Sequence, residues 1–213
     1  MAYIPLDLST ADPVVAAFIK MSIEPYLREA DFLLAATMPE DGPKNHFPIA
    51  CAMILLATVG ATSALDNHER TGKKRKGDRK HFLNCLDKYF PWDCISIEDG
   101  EFRSNKDRRD AAALALYDVF RCPLVHSGGL VDGLSRAPNV MKTHPGHADI
   151  AIAEKRIEEL ARAPSLEGQR LISLEYSRCV LHVNPFYWCV RRMVENYTRD
   201  PQAGNCLRAH CGL

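Results

Sequence analysis

Apolar residues recur along this chain at helical spacing, broken by clusters of turn-forming residues. Over residues 12–38, Val15, Phe18 and Ile19, and then Leu27, Phe32, Leu33 and Leu34, define the apolar side of a helix. Asp12 stands as its N-cap, Pro13 occupies its first turn, and Pro25 predicts a kink or a split. The stretch PEDGPKNHFP (39–48) is turn chemistry and separates this helix from a second, uncharged one that is expected to lie antiparallel beside it. Phe82, Leu83, Leu86, Tyr89 and Phe90 mark a third helix over 79–90, stopped by Pro91. A fourth runs over about 109–120, rich in alanine with Leu114, Leu116, Tyr117 and Phe120. A fifth helical pattern covers 148–163 and ends at Pro164. Residues 170–174 and 179–183 are short, apolar and β-branched, which predicts a small hairpin rather than a sheet. Asn184 and Pro185 then open a last helix to about Tyr197, and residues after Arg199 read as a loose tail.

The second helix changes the picture. Residues 47–65 (FPIACAMILLATVGATSAL) carry no charge, a length that approaches a membrane span. Thr58, Gly60, Thr62 and Ser63 interrupt it, no second such segment exists in the sequence, and Lys44, Asp66, Glu69 and Arg70 flank it without a basic bias to one side. A helix apolar on every side is what the centre of a bundle or a dimer interface requires, and that is the reading adopted.

Composition agrees with a globular chain. The 213 residues are 46% hydrophobic and 25% charged, and 27 Lys plus Arg balance 27 Asp plus Glu. A chain of this length buries roughly 70% of the surface it exposes unfolded, enough for one large domain. We read 1–213 as a single helical domain, with a core over about 12–163, a hairpin and last helix over about 166–198, and the tail over 199–213. Zero net charge supplies no global pull on nucleic acid or membrane, so such affinity has to be local. Eight scattered cysteines fall short of a disulfide scaffold and read as reduced thiols. The first residues show no basic start followed by an apolar stretch, so a cytoplasmic location is expected.

Local charge does exist. In ERTGKKRKGDRKH (69–81), Arg70, Lys73, Lys74, Arg75, Lys76, Arg79 and Lys80 surround two glycines, which predicts an exposed loop. Such a cluster is either a solvated connection or a contact for phosphates.

The most informative spacing lies just after the fourth helix, where Arg121 and His126 flank Cys-Pro-Leu-Val. On an ideal helix, positions five apart lie about 140° apart around the axis. Pro123 removes a backbone donor and its ring clashes with the carbonyl of Val119, so the helix is expected to bend or end there and let the two side chains converge. Gly128 and Gly129 should close the turn that follows.

The segment YDVFRCPLVHSGG resembles the signature of HEPN domains, an arginine and a histidine separated by four to six residues. The resemblance implies an all-α, HEPN-like helical bundle that dimerises, with Arg121 and His126 as its two catalytic positions and two copies of the pair meeting across a two-fold interface. It also implies metal-independent ribonuclease activity, and an antitoxin-type protein as a possible partner. One departure stands out: many catalytic members carry a small polar residue, often Asn, after the arginine, where this chain has Cys122. That weighs on cleavage more than on the fold.

The chemistry is sound without the family. A neutral imidazole can take the proton from a ribose 2′-hydroxyl while a guanidinium stabilises charge on the phosphate. Chain cleavage also needs an acid at the leaving 5′-oxygen, which a second chain's histidine would supply. The product would be a 2′,3′-cyclic phosphate, with acid–base action contributing about 10²–10⁴-fold. Two rivals remain: a catalytically silent HEPN-like module binding nucleotide, nucleic acid or protein, and a purely structural helical oligomer. In the latter, Arg121 caps the last helical carbonyls and His126 is an ordinary satisfied side chain.

Other clusters carry less. His144 and His147 lack a Cys or carboxylate pair at metal-ligand spacing, and Cys206, His210 and Cys211 crowd a terminus, so neither a metal nor a cofactor is expected. Cys122 beside Arg121 is either a candidate nucleophile or a packing thiol.

Overall fold

The computed structural model describes residues 3–36, 46–66, 77–97, 104–127, 148–151, 169–175 and 178–211. The chain is mostly helical, with one small sheet.

Helix α1 (Pro13–Ser22) begins as the sequence predicts: Asp12 Oδ1 accepts from the amides of Val14 at 2.9 Å and Val15 at 3.4 Å. That satisfies two of the donors a helix start leaves open. Pro25 splits the predicted long helix, so that α2 (Glu24–Ala35) starts anew after Ile23. Helix α3 (His46–Asp66) is the apolar one. Its hydroxyls bond back along the helix, Thr58 to the Ile54 carbonyl, Thr62 to that of Thr58 and Ser63 to that of Gly60, so they enter the core without losing hydrogen bonds. Helix α4 (Asp78–Tyr89) follows Gly77, whose φ of 114° suits a residue without Cβ.

Three elements differ from expectation in this middle part. Arg79, Lys80 and His81 belong to the first turn of α4, as the helix expected over 79–90 has them and not the loop expected over 69–81, while Arg70, Lys73, Lys74, Arg75 and Lys76 lie outside the described residues. After a 3₁₀ turn (Trp92–Cys94) comes strand β1 (Ile95–Ile97), too short for an alternation to be visible in the sequence. Helix α5 (Asn105–Leu114) starts earlier than the apolar pattern indicates, because Ser104 caps it: its hydroxyl accepts from the Asp107 amide at 3.1 Å and donates to that side chain at 2.9 Å.

Pro123 does not end the helix. A π-helical stretch (Ala115–Arg121) leads directly into α6 (Cys122–Ser127), and the Cys122 amide bonds the carbonyl of Tyr117, five residues back. The wider register, just upstream of the proline, is one of the ways a helix absorbs an interrupted ladder. The helix is therefore described through Ser127, and Gly128 and Gly129, expected to close the turn, lie outside the described residues.

The predicted fifth helix is corrected at its start: Ala148–Ala151 is strand β2, and 152–163 lie outside the described residues. Pairing with a neighbour overrides a weak local helical preference. The hairpin exists as β3 (Gln169–Glu175) and β4 (Arg178–His182), antiparallel, but it is the centre of a four-stranded mixed sheet in the order β1-β3-β4-β2, with both outer pairs parallel.

Helix α7 (Val183–Arg199) runs through the interior, burying Phe186, Tyr187, Val190, Met193, Val194 and Tyr197. The predicted loose tail instead carries helix α8 (Ala203–Cys211). Ala203, Cys206 and Leu207 recur at helical spacing and are buried, a pattern short enough to be masked by the polar residues around it.

α3 occupies the centre, as its lack of charge requires, and packs on α2, α4, α7 and α8. Its stretch Pro48–Asp66 has a mean hydropathy of 1.9, long and apolar enough for a span, and more than half of it is buried inside the protein. The ends of α3 and α4 meet: Tyr89 Oη lies 2.7 Å from Asp66 Oδ1, and Lys88 pairs with both Asp66 and Asp200. This places the start of α4 beside the middle of α3, where the site lies.

Candidate functional site around Arg121

Arg121 ends the π-helical stretch, and its side chain is 14% exposed. Three elements hold it. From its own helix, the Tyr117 ring centroid is 5.0 Å from the guanidinium carbon. From α4, the Phe82 ring is at 5.4 Å, itself edge-on to Tyr117 with centroids 5.2 Å apart. Positive charge over the faces of aromatic rings is favourable, most so when water is excluded. From α3, Gly60 leaves the third side open: a Cβ there would lie 3.6 Å from Nη2 and 3.7 Å from Nε.

The fourth contact is ionic. Nη1 lies 2.9 Å from Asp78 Oδ2, and Tyr117 Oη donates to the same oxygen at 3.1 Å. The Arg121–Asp78 contact has the separation of an ion pair without the alignment of a hydrogen bond, and Nε and Nη1 are buried with no hydrogen-bond acceptor among the described residues. Burial, reinforced by the Asp78 carboxylate, pushes the Tyr117 phenol up to about 12, so it stays a neutral donor at physiological pH.

A second ion pair crosses the same junction. Arg79 Nε and Nη2 donate to Asp118 Oδ1 and Oδ2 at 3.1 and 2.7 Å, a forked pairing. The hydrogen bonds to Asp118 raise the Arg79 guanidinium above its ordinary value. Neighbours in sequence thus pair with neighbours in sequence, Asp78 with Arg121 and Arg79 with Asp118. The structure brings Asp78 and Arg79, at the end of the basic run, to the Arg121 segment, which the sequence singled out separately.

His126 lies on the backbone of α6, and its side chain is outside the described residues. Since no break separates positions 121 and 126, helical geometry sets them about 140° apart around the axis. The expected end of the helix at Pro123 is thus corrected, and where the His126 side chain points lies outside the described residues. Cys122 is half-buried. Lys80 is exposed on the first turn of α4, and His81 on the same turn has a buried Nδ1 with no hydrogen-bond partner among the described residues.

Sequence reasoning singled out Arg121, Arg79 and Lys80 but missed Gly60, Asp78, Phe82, Tyr117 and Asp118 as parts of one arrangement. The available signals were a glycine inside an uncharged helix, one acid inside a basic run, and a tyrosine one helical turn before the arginine.

Among the described residues no group of three or more His, Cys, Asp and Glu is arranged to hold a metal ion. His144 and His147 lie outside them, as do the side chains of His210 and Cys211. Cys206 turns its thiol toward the carbonyl of Asp66, at 3.7 Å.

Away from Arg121, two polar clusters are built into the core. Arg191, 3% exposed, lies among the rings of Tyr3, Tyr187 and Trp188 and donates from Nη2 to the carbonyls of Ile4 at 2.7 Å and Pro5 at 3.1 Å. Ser173 Oγ and His182 Nε2, on the paired strands β3 and β4, are 2.9 Å apart, but Ser173 is fully buried and offers no approach to a substrate.

Comparison with known proteins adds no name to these features: no family model, no curated protein and no solved structure matches the chain.

Proposed function

We propose that the protein is a HEPN-like, RNA-directed helical protein in which Arg121 contacts a backbone phosphate. One observation carries this reading: the start of α4, where the basic run ends, is joined to the Arg121 segment by the ion pairs Asp78–Arg121 and Arg79–Asp118. A guanidinium held by two rings and a glycine, with two buried nitrogens that lack hydrogen-bond acceptors among the described residues, has its orientation set in advance. Such donors suit phosphate oxygens, and the basic residues from Arg70 to Lys80 would extend the contact along a strand.

In the catalytic form of this reading, His126 of one protomer faces Arg121 of another across a homodimer, and the strand is cut by its own 2′-hydroxyl. The spacing of positions 121 and 126 on one unbroken helix favours two chains over one. Binding without cleavage is the second reading. It is favoured by the position of Asp78 on the arginine and by Cys122 where a small polar residue accompanies activity in the family.

The test is incubation of the purified protein with single-stranded RNA in the presence of chelator, with Arg121→Ala and His126→Ala beside it and sedimentation to give the oligomeric state. Cyclic phosphate ends formed by the wild-type dimer, and lost in both variants, support the nuclease. RNA that is bound but stays intact supports the silent module. A protein with no salt-dependent RNA affinity is neither, and would be a structural oligomer.

A further inference from the structure

We infer that Asp78 is a resident competitor for the phosphate position of Arg121, so that RNA binds by displacing a carboxylate of the chain itself. The inference rests on the reading of Arg121 as a phosphate contact and adds to it how that contact is restrained.

The geometry of the guanidinium leads here. Phe82 and Tyr117 lie against it with centroids at 5.4 and 5.0 Å, and Gly60 of α3 lies against Nη2 and Nε. Among the described residues, Asp78 takes the remaining approach. Its side chain is 55% exposed, while that of Arg121 is 14% exposed, so the carboxylate stands between a largely buried cation and water. An anion arriving from solvent meets Asp78 first.

Three features make displacement easy. The contact at 2.9 Å is not aligned as a hydrogen bond and leaves Nη1 without an acceptor among the described residues, whereas a phosphate oxygen entering in place of the carboxylate can align with it. The carboxylate itself is half exposed, so it returns to water without crossing the core when it leaves the guanidinium. Finally, Asp78 is held from the other side by one neutral donor, Tyr117 Oη at 3.1 Å, which is equally able to donate to a phosphate oxygen. Arg79, the next residue, is tied to Asp118 by a forked pair, so the first turn of α4 stays anchored when Asp78 lets go.

The experiment measures binding of a labelled single-stranded 2′-O-methyl oligoribonucleotide, which has no free 2′-hydroxyl for cleavage, by fluorescence anisotropy. Asp78→Asn and Asp78→Ser both keep a small polar side chain at the first residue of α4, where Gly77 is the cap. Each is expected to bind about three- to fivefold more tightly than wild type, the scale of one half-exposed ion pair. Asp87→Asn, which removes an exposed acid at the other end of α4, should change affinity by less than about a third of that effect, and the gain should vanish when Asp78→Asn is combined with Arg121→Gln. Unchanged or weaker binding by both Asp78 variants, with Arg121→Gln weakened, overturns the competitor role while keeping Arg121 as a contact. The same gain from Asp87→Asn, or a gain that persists without the Arg121 guanidinium, reduces the effect to net charge and overturns it too. If Arg121→Gln binds as wild type does, the underlying reading of Arg121 fails and the inference with it.

Discussion

Gly60 lies flat against the guanidinium of Arg121: a Cβ on that glycine would touch Nη2 at 3.6 Å and Nε at 3.7 Å. These are ordinary contact distances, so one methyl group fits and a longer side chain does not. Gly60→Ala is therefore expected to keep RNA binding and to raise stability by about 0.5–1 kcal/mol, the helix-propensity gain of alanine over glycine. Gly60→Leu forces the guanidinium out from between Phe82 and Tyr117, with a cost of about 1–3 kcal/mol from overpacking and a loss of RNA affinity. Chemical denaturation and binding measured on the same two proteins check both halves.

Arg191 ties the first residues of the chain to α7. Its buried guanidinium reaches outward from Nη2 to the carbonyls of Ile4 and Pro5, and Nη1 reaches Tyr187 Oη at 3.2 Å inside the core. Replacement by alanine leaves those acceptors unmet, so Arg191→Ala should cost about 2–4 kcal/mol. Hydrogen exchange around residues 3–8 should accelerate well before that around α3. A variant with unchanged stability would show that the segment is held by its apolar contacts alone.

These two positions also show how much could be read in advance. Asp12 with Pro13, the split at Pro25 and the uncharged central helix follow from local rules, and the structure keeps all three. Strand β2 was missed because its four residues are strand only through pairing with β4, a contact far away in sequence. Helix α8 was missed because its anchors are equally remote, Arg208 on Asp12 and Cys206 on Asp66. The site divides in the same way. Arg121 and the basic run were visible as residue types, while Asp78 and Asp118 acquire their meaning only from ion pairs that bridge separate elements, which no periodicity encodes.

Asp200 makes the junction of α3, α4 and α8 sensitive to acid. Burial pushes its carboxyl up, but the hydrogen bonds from Lys88, the Gln202 amide and Tyr89 together outweigh this and hold it below the ordinary value. A carboxyl depressed in the folded state contributes stability above its unfolded pKa of about 3.9, and that stability is lost as pH falls through the folded value. Unfolding measured across acid pH should show the wild type losing stability more steeply than Asp200→Asn below about pH 4. Coincident profiles would remove Asp200 from the acid response.

The thiols should divide by burial. Cys51, Cys85 and Cys189 are fully buried and burial pushes each of them up, whereas Cys94 and Cys122 are half-buried. Alkylation of the native protein, read by peptide mass spectrometry, is expected to label Cys94 and Cys122 early and the three core thiols only on unfolding. Early labelling at Cys85 would mean that α4 opens away from α3.

The salt dependence of RNA binding, compared between wild type and Arg121→Gln, tests the phosphate contact most directly. Each phosphate neutralised on a single strand contributes about −0.7 to the slope of log K against log salt. The account predicts weaker binding by Arg121→Gln at every salt concentration and a slope shallower by about that amount. Identical slopes and affinities for the two proteins would contradict it.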